Sequence, residues 1–587
     1  MKIMNKYIVS ALTGLLMVSC IDTSVLPDDK ITGEDFWQSK EDVSNMVADV
    51  YKAMCNVDAM ERYIVWGNFR SDELIETTTR INDAKHNALK DISNGVMTTT
   101  NTYANWASIF SIINRCNVIL EKAPEVVMID PSYTQETYYT DESQMLGIRA
   151  LCHFYLLRAF RDVPYSEVAY LNSSQDMAIA QNPPSYVLQK CIDDLNRALE
   201  HPLSPTGYTD WRKVGLLNRD GLKAILADVY LWRASMMHNE ADYRECARLC
   251  QEIIDSKKSQ VLANEQGGSF GPGMGGGGIS AGQDYPLYDG ENAFARNFIS
   301  GNSSESIFEI QLDGTNNSNN GLRNMYWNYD DKNRSTGYLK APRALFGAAD
   351  EKSAYATKND YRYYDNCFGV GGNDLEDMYV RKMSAVSSLA NNPNNVGSWK
   401  GQSFVKRDYS KIDQNWVFYR LTDVMLMKAE ALVQIGDDES LTEAFKLVAA
   451  VYNRSQGDAV ELSEPAQKTK DEYEKLVLNE RRRELCFEGK RWFDLLRYNY
   501  RHIEGIRPDL MLWQIAGEGG TKESFLQNYT EMMNLVALRY SEGGSATVLK
   551  INREAFLYFP ILESEMKVNA NLHQNPVYSA NDIYQKN

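Results

Sequence analysis

Few residues in this chain are placed for chemistry. Its six histidines, His86, His153, His201, His238, His502 and His573, are scattered without a pair at metal-ligand spacing. Cys246 and Cys250 lie one helical turn apart, but no histidine or second cysteine pair stands nearby to complete a zinc site. The carboxylate doublets Asp72-Glu73 and Asp193-Asp194 are formal candidates for a glycosidase acid and nucleophile. Adjacent carboxylates usually point apart, however, whereas a glycosidase pair converges across a cleft, and doublets are expected by chance among 79 acidic residues. Gly275 to Gly278 is followed by no Lys-Ser or Lys-Thr and so lacks the cation of a phosphate-cradling loop. Arg481-Arg482-Arg483 is flanked by Glu480 and Glu484, which predicts a solvated, salt-bridged helix face rather than an anion site. No catalytic residue, metal ligand or cofactor is expected.

One residue does sit where covalent chemistry occurs. Lys2 and Lys6 precede an apolar run from Tyr7 to Val18, too short to span a bilayer, and Ser19-Cys20 follows. Met17-Val18-Ser19-Cys20 reads as a lipobox, with Leu16 one place early and Met17 in its slot. The sequence therefore predicts a lipoprotein signal peptide over 1–19, a diacylglycerol thioether on Cys20 and a lipidated tether over 20–31. A soluble secreted chain with a coincidental cysteine is the alternative.

The elements that would position a site must come from the remaining chain of this 587-residue protein, which is 43% hydrophobic and 24% charged, as a well-cored globular protein is. No later apolar run approaches a membrane span, so only the lipid would hold it to a membrane. Its net charge of −17 leaves no basic surplus to neutralise phosphates and argues against a nucleic-acid partner. Besides Cys20, eight cysteines fall mostly inside helical apolar patterns, where they read as buried free thiols.

Helical periodicity predicts helices over 35–54, 103–122, 144–161, 185–199, 216–237, 242–255, 421–435 and 441–453. The stretches 227–254 and 427–450 each have the helix–turn–helix layout of a tetratricopeptide unit, with small residues where two helices would approach. Between about 257 and 414 the pattern fails; glycine and asparagine runs predict loops with short strands such as Ile307 to Leu312. The stretch from 500 to about 550 is similarly loop-rich.

The strongest local signature runs from Asn479 to Tyr498: Asn-Glu-Arg-Arg-Arg-Glu-Leu-Cys-Phe-Glu-Gly-Lys-Arg-Trp-Phe-Asp-Leu-Leu-Arg-Tyr. Physically it predicts a charged helix stopped near Gly489 and a second helix burying Trp492, Leu495 and Leu496. It closely resembles the signature of the SusD/RagB family of surface lipoproteins, Glu-Arg-x-x-Glu-Leu-x-x-Glu-Gly-x-Arg-Trp-x-Asp-Leu. Phe36-Trp37, Arg70 to Glu73, Arg158 to Tyr165, Leu421 to Leu432, Phe559 to Ile561 and Gln574 to Pro576 extend the resemblance over nearly the whole mature chain.

That resemblance implies a mostly α fold, with tetratricopeptide-like helix pairs scaffolding an irregular, loop-rich half that contains short strands. The expected layout is a single SusD-like domain over 32–587, with the helical scaffold in 35–256 and 415–500 and the ligand-binding region in about 257–414 and 500–550. It implies an outer-membrane, surface-exposed, lipid-anchored protein without catalytic activity. Such a protein captures oligosaccharide and delivers it to a SusC-like TonB-dependent outer-membrane transporter. Capture of a peptide, a surface glycoside hydrolase and a tetratricopeptide-type protein-binding scaffold are the alternatives.

Sugars combine apolar C–H faces with hydroxyls, so aromatic platforms beside hydrogen-bonding side chains are the expected contacts. Trp327, Tyr326 and Tyr329, with Arg323 and Asn328, form the foremost candidate cluster; Tyr338, Tyr285, Tyr288 and Trp399 are further candidates. The same aromatics read equally well as core residues pinning a long loop.

Overall fold

The computed structural model describes residues 36–578, apart from 78–82, 173, 267–283, 315–318, 328–336, 347–352, 356–358, 368–377, 388–403, 407–411, 458–459, 518–534 and 537–556. The signal, Cys20, the tether, Asn328, Tyr329 and Trp399 lie outside the described residues.

Thirteen helices organise the site: α1 Lys40–Met54, α2 Val57–Ile64, α3 Ala84–Ser93, α4 Ala107–Val127, α5 Gln135–Phe160, α6 Pro184–Ala198, α7 Arg219–Met237, α8 Glu240–Gln266, α9 Asn320–Tyr326, α10 Leu421–Ile435, α11 Asp438–Arg454, α12 Lys470–Glu484 and α13 Arg491–Arg501. Their ends follow from local chemistry. Ser39 opens α1 with a capping box, its hydroxyl accepting the Asp42 N–H while the Asp42 carboxylate accepts the Ser39 N–H at 2.8 Å. Between α10 and α11 two residues suffice: Gly436 takes the left-handed conformation (φ 80°) that closes one helix, and Asp437 caps the next by accepting the Ser440 N–H at 2.8 Å.

The helices stack as neighbouring hairpins. α4 packs on α5, α5 on α6, α7 on α8 and α10 on α11, so both predicted tetratricopeptide-like units form. α8 also packs against α10, although about 150 residues separate them in sequence. The loop-rich segment is thus an insertion between two consecutive layers of the helical stack. α8 runs on to Gln266, past the predicted end near 255, because Lys257 is buried and its ammonium reaches the Ser306 carbonyl instead of marking an exposed end.

Strands are short. β1 Ile75–Glu76 pairs with β5 Leu339–Lys340, β2 Val163–Pro164 with β3 Gln181–Asn182, β4 Ser306–Ile310 with β8 Trp416–Arg420, and β6 Ala385–Ser387 with β7 Phe404–Lys406, all antiparallel. Every residue of β4 and β8 is buried. β8 leads directly into α10, so this pair ties the insertion to the helical stack where the chain returns to it. The eight described cysteines are free thiols.

The signature segment departs from its predicted form. α12 ends at Glu484, ahead of Gly489, and a turn with Phe487 (φ 67°) and Gly489 (φ 73°) leads into α13. Gly489 is required there: a Cβ would lie 2.9 Å from the Tyr63 carbonyl oxygen and 2.9 Å from Trp416 Cζ2. The facing π-helical turn Val65–Phe69 contributes Gly67, where a Cβ would lie 1.9 Å from the Gly489 carbonyl oxygen. Two backbones touch there without side chains between them. Trp492, Leu495 and Leu496 are buried, as predicted.

The arginine triplet is not a solvated face. Arg481 and Arg482 are buried, and only Arg483 keeps partial exposure. Arg481 pairs with Asp423 (3.0 Å) and Asp494 (2.9 Å), and Arg482 with Asp72 (2.9 Å). The Glu484 carboxylate receives Arg420 (2.7 Å), Arg454 (2.6 Å) and Arg362 (2.9 Å) from three separate parts of the chain. Glu488 holds Arg420 and Lys382, Arg491 pairs with Asp72, and Arg497 bridges Glu430 and Asp494. These buried charges are matched because a lone ion in this interior would cost several kcal/mol, roughly, after relaxation; Arg70, also buried, lies instead against the rings of Trp492 and Phe559, 4.5 Å from each centroid.

Burial opposes ionisation of Glu484, yet Arg454, Arg420, Arg362 and Lys382 outweigh it and hold the carboxyl well below its ordinary value. Such a depressed group stabilises the fold above its unfolded pKa and loses that effect as pH falls through the folded value. Glu484→Gln should therefore cost about 3–5 kcal/mol at neutral pH by leaving three buried arginines with too little negative charge, since only Asp360 and Glu480, Glu488 and Glu305 remain to pair Arg362, Arg420 and Arg454, with the gap from wild type narrowing below about pH 4.5. Urea unfolding at pH 7 and pH 4 reads both values; an equal gap at the two would contradict the assignment.

Candidate functional site

The loop-rich insertion meets the N-terminal helices along a seam built by α2, α3, α9 and the β1–β5 pair. α9 begins where Asn319 caps it, accepting the Leu322 N–H at 3.0 Å and donating to the Gln414 carbonyl at 2.9 Å. It lies on α2 through Gly321, where a Cβ would stand 2.5 Å from Met60 Cβ. The chain then returns as β5. Thr77 Oγ1 donates to the Gly337 carbonyl (2.9 Å), the Thr77 N–H to the Tyr338 carbonyl (2.8 Å), and the Tyr338 N–H to the Asn324 carbonyl (2.9 Å). A Cβ on Gly337 would be 2.5 Å from the Trp327 carbonyl oxygen, so Trp327 and Gly337 lie against each other. Trp327 and Gly337, the described residues on either side of 328–336, thus meet at one point of the seam.

This geometry brings Tyr326, Trp327, Arg323 and Tyr338 to one place but corrects the expected role of the first two. Trp327 is 1% exposed and Tyr326 fully buried, with its hydroxyl 3.3 Å from the Phe487 carbonyl. Both are walls of the core rather than open stacking platforms, because the approach of Gly337 and the packing of α9 on α2 cover them. Tyr338 is also largely buried. Its ring stacks on His86 at 6.0 Å and 14°, and its hydroxyl donates to Asp83 at 2.6 Å. Tyr285 and Tyr288 are half-buried in a different cleft of about 670 Å³, beside Phe445 and Asn453 of α11, and Ser304 Oγ donates to the Tyr288 hydroxyl at 2.6 Å.

What the seam presents to solvent is polar. Asp83 is exposed, caps α3 by accepting the His86 N–H at 2.8 Å, and has its carboxyl held below the ordinary value: burial opposes this, but the Tyr338 and His86 hydrogen bonds outweigh it. Lys85, half-exposed, pairs with Glu61 (2.7 Å) and Asp58 (3.3 Å); Asn324 donates to Glu61 at 2.9 Å. Arg323, next to Asn324, is half-buried. His86 Nε2–H donates to the Thr77 carbonyl at 2.9 Å, which fixes the ring under Tyr338. Sequence reasoning missed Glu61, Asp83, Lys85, His86 and Asn324. The local signal available was the Asp83 cap before a short helix.

The carboxylate doublets are structural. Asp194 pairs with Arg149 at 2.7 Å, and Asp193 accepts from Gln189 at 2.8 Å. Asp72 and Glu73 carry opposite shifts, a pattern often found at acid–base sites. Burial opposes ionisation of Asp72, but Arg482 and Arg491 hold it low; burial, then the Asp72 charge, push Glu73 up to about 8. Both are buried at the signature turn, where Glu73 Oε2 accepts the Phe487 N–H at 3.1 Å, and neither lines a described cleft. Glu73, raised above its unfolded pKa, stabilises the fold fully below about pH 4.5 and loses that effect as pH rises through about 8. Glu73→Gln should match wild-type stability near pH 5 and exceed it above pH 8 by more than about 1 kcal/mol. Chemical denaturation at the two pH values measures this; a pH-independent difference would contradict it.

Residues 304–578 match the model of the SusD family. Among curated relatives, the SusD-like protein P38 of Formosa agariphila is 25% identical over 517 residues, covering 84% of this chain and 91% of that protein. A SusD superfamily protein from Bacteroides thetaiotaomicron superposes with a TM-score of 0.62 at 18% identity, covering 92% of this chain and 99% of its own. NanU of B. fragilis superposes with a TM-score of 0.61 at 17% identity, covering 94% and 99%. These structures share the mostly helical fold.

Proposed function

Because the chain belongs to the SusD/RagB family, we propose that it is a surface lipoprotein that captures an oligosaccharide at the seam and passes it to a SusC-like TonB-dependent outer-membrane transporter. The observation that carries this reading is the convergence of Asn324 and Tyr338 from the insertion with Asp83 and Lys85 from the N-terminal helices, with Arg323 beside Asn324 in α9 as a further proposed contact. Such a rim offers both donors and acceptors, as sugar hydroxyls require, on a scaffold whose own hydrogen bonds hold each side chain in place. Tyr329 and Asn328, which follow Trp327 in the chain, remain proposed contacts, as does Trp399. Tyr285 and Tyr288 are proposed as a separate flanking contact.

The anchor is proposed to be the lipid on Cys20. No described helix is long and apolar enough to cross a membrane, and the short hydrophobic run before Cys20 ends as a lipoprotein signal does. Binding without turnover is the proposed mode, and it agrees with buried, structurally engaged carboxylate doublets at Asp72-Glu73 and Asp194.

An open polar site competing with water gives modest affinity, about micromolar to millimolar, or roughly −8 to −4 kcal/mol. Arg323→Ala and Asp83→Asn should each weaken the best oligosaccharide by roughly fivefold or more, about 1 kcal/mol, with melting temperature little changed, because asparagine also caps a helix. Calorimetry against host and plant oligosaccharides, paired with melting curves, tests this. Undiminished binding by both variants would move the site elsewhere, and glycan cleavage by pure protein would favour the hydrolase. For the anchor, labelled palmitate should enter the wild type and be absent from Cys20→Ser, which should also leave the membrane fraction; equal labelling would contradict lipidation.

A further inference from the structure

A cleft of about 690 Å³ in the helical half lies away from the seam, between α1, the first turns of α5 and the loop that ends in the short helix Arg212–Gly215. Its rim is unusual for a scaffold. Trp211 is 48% exposed, whereas the other described tryptophans are buried or partly so. An indole left open at the mouth of a cleft forgoes a large apolar burial that the core would otherwise supply.

The ring is nevertheless held in position. A Cβ on Gly215 would stand 2.7 Å from Trp211 Cε3, so the absent side chain at Gly215 is what lets one side of the indole lie against the helix backbone. Beside it, Tyr208 is covered on one face by the Arg212 guanidinium, 4.4 Å from the ring centroid, and Asp210 fixes that guanidinium through Nε (3.0 Å) and Nη2 (2.8 Å). Two aromatic rings are thus oriented before any ligand arrives, which lowers the entropy cost of binding.

The opposite wall supplies hydrogen-bonding groups. Asp141 sits in the cleft with one oxygen accepting from the Tyr133 hydroxyl at 3.0 Å and no described lysine or arginine within ion-pair distance. Gln144 holds Tyr51 at 2.8 Å, and Thr137 and Thr140 line the same wall. Cations and anions along the cleft nearly balance, since Lys40 and Lys52 face Glu136 and Asp141 while Arg212 is neutralised by Asp210. That balance disfavours a polyanion and suits a neutral ligand with one apolar face and many hydroxyls.

We propose that this cleft is a second saccharide-binding site for a neutral oligosaccharide, with Trp211 and Tyr208 as the stacking platform and Asp141, Thr137 and Thr140 as hydroxyl partners. The proposal rests on the reading that the chain binds glycans, and it adds a site on the helical half independent of the seam. Two sites on one body would raise the apparent affinity for long chains through effective concentration, without any new contact.

The test uses the soluble mature protein labelled with 5-fluorotryptophan, the Trp211 fluorine signal being assigned by its loss in Trp211→Phe. Maltohexaose, cellohexaose, xylohexaose and laminarihexaose serve as probes, each also followed by calorimetry. At least one probe should shift the Trp211 signal, that shift should persist in Arg323→Ala, and Tyr208→Ala should weaken it fivefold or more at unchanged melting temperature. Binding that leaves Trp211 unmoved and is lost in Arg323→Ala overturns the second site and keeps the seam. A Trp211 shift with no effect of Arg323→Ala on any bound probe keeps this site and overturns the seam. Absence of binding by every probe overturns both.

Discussion

Three arginines from distant parts of the chain share the carboxylate of Glu484. Arg362 comes from the loop-rich insertion, Arg420 from the end of β8 and Arg454 from the end of α11. Each of these cations has a further carboxylate partner, Asp360 and Glu480 for Arg362, Glu488 for Arg420 and Glu305 for Arg454, and Glu484 is the anion they share, so it ties the insertion, the central strand pair and the helical stack together. The constraint propagates through Arg420 to Glu488 and Lys382, and through the backbone of the same turn to Gly67. Every charged position of the signature pattern, Glu480, Arg481, Glu484, Glu488, Arg491 and Asp494, is a member of this buried lattice. The signature is therefore a packing device made of charge.

The seam inherits its shape from that lattice. Glu73 joins the signature turn through the Phe487 N–H, and two residues later the chain enters β1, which pairs with β5 and sets Tyr338 over His86. Tyr326 reaches the same turn through its hydroxyl. Rigid elements thus carry the binding groups, while the chain between Trp327 and Gly337 starts and ends on them. A sugar site built this way needs few ordered loops to hold its first contacts.

Much of the helical body could be read directly from the chain. The span Leu421–Ile435 and both tetratricopeptide-like units emerge from apolar spacing and from single punctuating residues such as Gly436 and Asp437. Where the reading failed, the reason was distance along the chain. Arg481-Arg482-Arg483 looks like a solvent face by every local criterion, and only Asp72, some 400 residues away, reveals that Arg482 is interior. Trp327 carries the composition of a sugar platform, but Gly337 and α2 bury it. Trp211 drew no notice because nothing in its neighbours' identities signals exposure; that follows from Gly215, whose missing side chain gives the ring its seat.

Hydrogen–deuterium exchange of the intact protein, with and without its tightest-binding oligosaccharide, tests the central claim most directly, because it reads where the ligand lies without altering any residue. Slower exchange on binding is expected in 57–69, 83–93 and 319–327, segments that build the seam. Saturating ligand that leaves those three segments unchanged would contradict the claim that the seam is where capture occurs.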